Sequence, residues 1–120
     1  MYDHIGLRVR NLELSVRFYS AALVPLGHAL CTRDDAYAGF GPKRAPALWL
    51  HATTGTTGSG VHVALRAADH AAVERFYQEG LKAGGAGNGK PGPRTDYGPK
   101  YYAAFLIDPD GNNIEAVCLK

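Results

Sequence analysis

The chain repeats itself. Shifting His4-Ile5-Gly6-Leu7-Arg8 by 58 positions lands on His62-Val63-Ala64-Leu65-Arg66, and the same shift carries Arg17-Phe18-Tyr19 onto Arg75-Phe76-Tyr77 and Leu23 onto Leu81. Two copies of roughly half a chain each do not make a solenoid, which needs several short stacked units. They imply one supersecondary unit used twice, with a histidine and an arginine entering at the same place in each copy. At 120 residues the chain suffices for one domain and is too short for two independent cores. A single domain over 1–120 is expected, with the two copies sharing its interior.

Each copy opens with an alternating segment. Ile5, Leu7 and Val9 fall on one face and His4, Gly6 and Arg8 on the other, which is a strand with one apolar and one ionisable side. Asn11 is placed as a helix N-cap, and Leu12, Val16, Tyr19 and Leu23 form one helical stripe ended by Pro25 and Gly27. Short strands are expected over His28–Thr32, Ala36–Phe40 and Ala47–His51, each bounded by turn residues. The first module is therefore 1–52, and the small-residue stretch 53–60 is a linker. The second module, 61–120, restarts with Val61, Val63 and Leu65 behind and His62, Ala64 and Arg66 in front. Asp69 caps a helix from His70 to about Ala83. A Gly/Pro-rich excursion over 83–100 reads as a surface loop or lid. Strands over Tyr101–Ile107 and Asn113–Leu119 flank the turn Asp108-Pro109-Asp110-Gly111. In the last strand Asn113, Glu115 and Val117 share one face. The expected fold is α+β: two βαβββ modules whose curved mixed sheets surround a cleft.

Composition excludes more than it selects. A formal charge of +2, with no basic run, argues against nucleic acid and against a membrane surface as partners. No apolar stretch approaches a membrane span and no leader pattern is visible, so a cytoplasmic location is expected. Cys31 and Cys118 lack metal-ligand spacing and are expected as reduced thiols.

His4, Arg17-Phe18-Tyr19, His62 and the ending Asp108-Pro109-Asp110-Gly111-Asn112-Asn113-Ile114-Glu115 together resemble the glyoxalase / bleomycin-resistance / extradiol-dioxygenase (vicinal oxygen chelate) superfamily over essentially the whole chain. That resemblance implies a divalent metal (iron, manganese, zinc, nickel or cobalt) held by His4, His62 and Glu115. Neutral imidazole and carboxylate suit those ions, and three ligands leave coordination positions open for two adjacent substrate oxygens. Trp49 aligns opposite Glu115, where glyoxalases of the family carry a second glutamate, so the methylglyoxal–glutathione isomerase reaction is not what this ligand set implies. It resembles instead the three-ligand dioxygenases and thiol transferases.

Glu115 is the candidate catalytic carboxylate and His51, on Trp49's face, a candidate acid/base group or an idle rim residue. Arg8 and Arg66 are candidates for an anionic substrate group or for structural ion pairs. Trp49, Phe40, Tyr102 and Phe105 are candidates for an aromatic wall, although alternation leaves open whether Tyr102 or Tyr101 faces the cleft. Arg94 and Tyr97 would reach a ligand from the 83–100 loop. Two readings follow. One is a metal-dependent enzyme on a small oxygen-bearing metabolite, of dioxygenase, lyase/isomerase or transferase type. The other is a sequestering protein of the bleomycin-resistance type, which keeps the fold without the metal. The resemblance also implies a homodimer, either with closed clefts or with modules exchanged between chains.

Overall fold

The computed structural model describes residues 1–58 and 60–120; Ser59, within the expected linker, lies outside the described residues. The chain runs β1 (Ile5–Val9), α1 (Leu12–Leu23), β2 (Ala29–Arg33), β3 (Tyr37–Gly41), β4 (Leu48–Ala52), β5 (His62–Arg66), α2 (His70–Lys82), β6 (Ala86–Pro93), β7 (Tyr102–Ile107) and β8 (Asn113–Cys118). Each half builds a four-stranded mixed sheet, ordered β1-β4-β3-β2 and β5-β8-β7-β6. The opening strand pairs parallel with the last strand of its own half, and the other pairings are antiparallel. The fold is thus the expected duplicated βαβββ unit.

The helices start where the sequence places their caps. Asn11 accepts a hydrogen bond from the Leu14 amide at 3.1 Å and Asp69 one from the Ala72 amide at 2.7 Å, each satisfying an amide that the first turn leaves without a carbonyl. Leu12, Val16, Tyr19 and Leu23 are buried, and so are Val73 and Phe76 of α2; Leu81, in the last turn of α2, is exposed. One continuous core takes residues from both halves, including Leu7, Phe18, Leu50, Val63, Phe76 and Leu106. Burying side chains of this size contributes about 1.5–3 kcal/mol each. Cys31 and Cys118 are free thiols.

The Asp-Pro-Asp-Gly turn does more than reverse the chain. Asp108 accepts from the amides of Asp110 and Asn112, from the Asn112 side chain, and from the Tyr19 hydroxyl at 2.5 Å. Asp110 accepts from the Arg10 amide and the Ser15 hydroxyl. Burial, together with the Asp108 carboxylate beside it, pushes the Tyr19 hydroxyl well above its ordinary pKa, so it remains a donor. Arg17 reciprocates by donating to the Lys82 carbonyl at the end of α2. The turn before β8 is therefore bolted to the helix of the other half, which fixes where Glu115 stands.

One expectation fails. The middle of 83–100 is not a loop: Ala86–Pro93 is an edge strand paired with β7 through register shifts at Gly87, Gly89 and Gly92. The glycines are there for space. A Cβ at Gly87 would lie 2.6 Å from the Tyr77 hydroxyl, and one at Gly89 would lie 2.9 Å from Phe105. Prolines are tolerated because an edge strand has amides with no ladder partner to lose. The rest, 94–101, is a hydrogen-bonded turn closed by the Arg94 amide on the Tyr101 carbonyl. Among the described residues no helix is long and apolar enough to cross a membrane.

Candidate functional site

In the second half, register decides which side chains meet. Ala64 pairs with Glu115 and Glu115 with Phe105, so His62, Glu115, Phe105 and Tyr101 point away from α2. Glu115 is 3% exposed. Its Oε1 lies 2.8 Å from Nε2 of His62, and its Oε2 accepts from the Tyr101 hydroxyl at 2.5 Å. Asn113 meets the other imidazole nitrogen, Nδ1, at 2.9 Å, and Asn88 donates to the Asn113 carbonyl oxygen at 3.3 Å. The hydrogen bond to Glu115, ahead of desolvation, pushes the Tyr101 hydroxyl up to about 12. At neutral pH it donates.

In the first half, His4 lines a shallow depression with Tyr37, Trp49 and His51. Its Nδ1 is 2.6 Å from Asp3, and Nε2 has no partner among the described residues, which is how a carboxylate fixes the tautomer of a ligating histidine. His51 lies against Gly6, where a Cβ would be 3.7 Å from its ring. Tyr37 packs edge-on against Trp49 at 5.8 Å. His4 and His62 thus sit in separate surroundings. Among the described residues no group of three His, Cys, Asp or Glu side chains is close enough to hold one ion. Within a single chain the expected triad is divided: His62 and Glu115 are together, and His4 is elsewhere.

The donors nevertheless fit a first-row divalent ion. Two ligands each about 2.1 Å from one ion at right angles lie about 3.0 Å apart, close to the 2.8 Å between His62 Nε2 and Glu115 Oε1. The carboxylate is buried and oriented, and Asp3 accepts from Nδ1 of His4; the Asn113 amide instead donates to Nδ1 of His62, so Nε2 of His62 carries a proton toward Glu115 that an ion would displace.

A family model described as the Glyoxalase/Bleomycin resistance protein/Dioxygenase superfamily matches residues 2–116. The chain belongs to this superfamily. Solved structures agree: a glyoxalase/bleomycin resistance protein from Albidiferax ferrireducens T118 is similar at 26% identity and TM-score 0.85, with 98% of each chain covered. A glyoxalase-related enzyme from Fulvimarina pelagi, at 19% identity and TM-score 0.75 over 95% of this chain and 84% of that one, shares the fold. A glyoxalase I mutant from Zea mays is 27% identical, TM-score 0.71, over 96% of this chain but only 44% of the maize chain. No curated protein matches. Superfamily members commonly bind divalent metals and small molecules and often form dimers.

Within the superfamily frame, Trp49 takes Glu115's place in the first sheet. Gly6 pairs with Trp49 as Ala64 pairs with Glu115, and Gly39 faces Trp49 as Phe105 faces Glu115. Other candidates are corrected by parity. Tyr102 lies on the α2 side, stacked on His70 at 3.8 Å and donating to Glu74, so Tyr101 is the tyrosine beside Glu115. Phe40 is buried against Tyr19, not in an aromatic wall. Arg94 spends its N–H groups on the carbonyls of Lys90, Gly92 and Pro93, with its guanidinium 5.4 Å from the Phe105 ring. Tyr97 is exposed and packs on Tyr101 at 5.3 Å. Arg8 and Arg66 are exposed on the front faces, and neither joins an ion pair among the described residues. Sequence reasoning missed Tyr101, Asn113 and Asp3 as partners of the candidate ligands. Alternation would have found Asn113, which shares Glu115's face; nothing in the pattern singled out Asp3.

Proposed function

We propose that the protein is a divalent-metal-dependent enzyme acting on a small oxygen-bearing metabolite, with each cleft made by two chains. His62 and Glu115 of one copy and His4 of a second copy are the proposed ligands. The observation that carries this reading is the pre-formed His62–Glu115 pair, with its buried carboxylate and 2.8 Å spacing, together with a His4 set apart from it whose Nε2 has no partner among the described residues. A bound ion supplies Lewis acidity toward two adjacent substrate oxygens. The chain's own groups do the rest. Tyr101 and Asn113 hold the carboxylate and the imidazole in place. Trp49 and Tyr37 offer an apolar wall beside His4, and Arg8 and Arg66 offer cations to an anionic substrate group. His51, which lines the same depression, is the proposed group for exchanging a proton with substrate. Dioxygenase, lyase/isomerase and transferase chemistry all use such a chelated oxygen pair.

Complementation tests both the metal and its division between chains. His4→Ala and Glu115→Gln homodimers should each purify without bound metal. A mixed dimer of the two carries both lesions in one cleft and none in the other, so it should recover about half the metal of the unaltered dimer. No metal in the mixed dimer would overturn the shared cleft. No metal in the unaltered protein, even after loading, would leave the sequestering reading, which the aromatic Trp49–Tyr37 surface favours.

A further inference from the structure

The two oxygens of Glu115 do not have equivalent partners. Oε1 faces His62, while Oε2 is taken by the Tyr101 hydroxyl at 2.5 Å. That hydroxyl is delivered by a braced turn. The Arg94 amide donates to the Tyr101 carbonyl at 2.7 Å, the Tyr101 amide to Gly98 at 3.3 Å, and the Tyr97 amide to Arg94 at 3.0 Å. The Arg94 guanidinium in turn ties the turn to the Lys90 and Gly92 carbonyls. Three backbone hydrogen bonds and two from the Arg94 guanidinium thus hold the turn that carries this phenol.

Resting on the metal reading above, we propose that Tyr101 is a positioning residue that reserves Oε2, so that Glu115 gives a bound ion one oxygen only. A glutamate with both oxygens free can bind an ion through one or through both. Binding through both fills a further coordination position. With two imidazoles and a single carboxylate oxygen, more of the ion's positions stay open to substrate oxygens. Tyr101 acts through Glu115 and touches neither the ion nor the substrate.

The test uses cobalt(II) as a visible probe in the intact dimer. Affinity is measured by chelator competition, and coordination number by the intensity of the ligand-field bands, which weaken as coordination number rises. Tyr101→Phe, which keeps the ring, should bind cobalt roughly tenfold or more weakly and show weaker bands as Oε2 swings onto the ion. In a Glu115→Gln background, which purifies without metal and is loaded with excess cobalt to measure its residual affinity, the same Tyr101→Phe change should have little further effect, because the two residues act in series. Tight cobalt binding by the unaltered protein, with affinity and bands unmoved in Tyr101→Phe, would overturn the role of Tyr101 while leaving the metal reading intact. Equal losses in both backgrounds would likewise overturn it, by showing a contribution independent of Glu115. No cobalt binding by the unaltered protein would overturn both.

Discussion

The two halves keep one backbone and divide the chemistry. Where the second sheet sets Phe105 across from a small, buried carboxylate, the first sets Gly39 across from Trp49. A Cβ on Gly39 would come within 2.9 Å of the indole and 3.0 Å of Pro46, so the indole occupies the space its partner gives up. Asp3 orients the first histidine from beside it in sequence, whereas Asn113 orients the second from the neighbouring strand. The difference teaches that a duplicated frame fixes where the imidazoles enter and leaves the rest of each face free to specialise: one half carries the carboxylate, the other an aromatic surface.

The turns that precede β4 and β8 differ most, and there the largest effect is expected. The second is packed with buried acceptors. The first, Pro42–Arg44, has none and takes Lys43 and Arg44 through positive φ. Removing Asp108, which is 4% exposed and accepts four hydrogen bonds, leaves the Tyr19 hydroxyl and two amides buried without partners. Asp108→Ala should cost about 3–5 kcal/mol in urea unfolding. A cost under about 1 kcal/mol would show that the turn does not bolt the halves together.

Next in size, Gly39→Ala should destabilise by about 1–3 kcal/mol through its contact with Trp49 and Pro46. Combining it with Trp49→Ala should recover part of that loss. Independent, additive costs would break the claim that Gly39 and Trp49 are a matched pair.

Smaller still is the effect of making the halves alike. Trp49→Glu puts a carboxylate at the register position equivalent to Glu115, over a glycine that leaves room for it. Metal affinity should rise by about tenfold, or about 1.4 kcal/mol, measured by chelator competition. Unchanged affinity would mean that equivalent register does not deliver an equivalent ligand.

The frame was legible in the sequence because the 58-residue repeat, the two caps and the period-2 alternation are local signals. His4, His62 and Glu115 fell on front faces for the same reason: parity along a strand needs no tertiary knowledge. What was not legible depended on contacts between elements. The glycines of β6 read as loop because their cause, the Tyr77 and Phe105 side chains beneath, lies on other elements. Alternation could not decide between Tyr101 and Tyr102, because the phase of a strand between adjacent tyrosines is set by its neighbour's register, Phe105 against Glu115. The Asp-Pro-Asp-Gly signature was legible as a turn, while its hold on Ser15 and Tyr19 was not, since their partners lie 95 and 89 residues away. The division of the triad between two surroundings was equally hidden, because a repeat specifies each module and not how the modules pack.

The smallest expected effect lies behind the sheets, where the 58-residue shift matches His28 with Ala86. His28 lines a cavity of about 160 Å³ between the halves, with Leu23, Phe40, Leu48, Val63 and Leu65 around it and the Asp3–His4 pair at its edge. Its Nδ1 is buried with no hydrogen-bond partner among the described residues, and desolvation lowers its pKa below the ordinary 6.5. The unfolded chain therefore binds a proton there at a pH where the folded chain does not. Folded-state stability from this group is fully present above pH 6.5, falls as pH drops from there toward the lowered folded value, and is level below it. His28→Leu removes this dependence and fills the apolar lining. Its urea midpoint, relative to the unaltered protein, should gain steadily between pH 7.5 and 5.5. A difference that stays constant across that range would mean the imidazole finds a partner in solution.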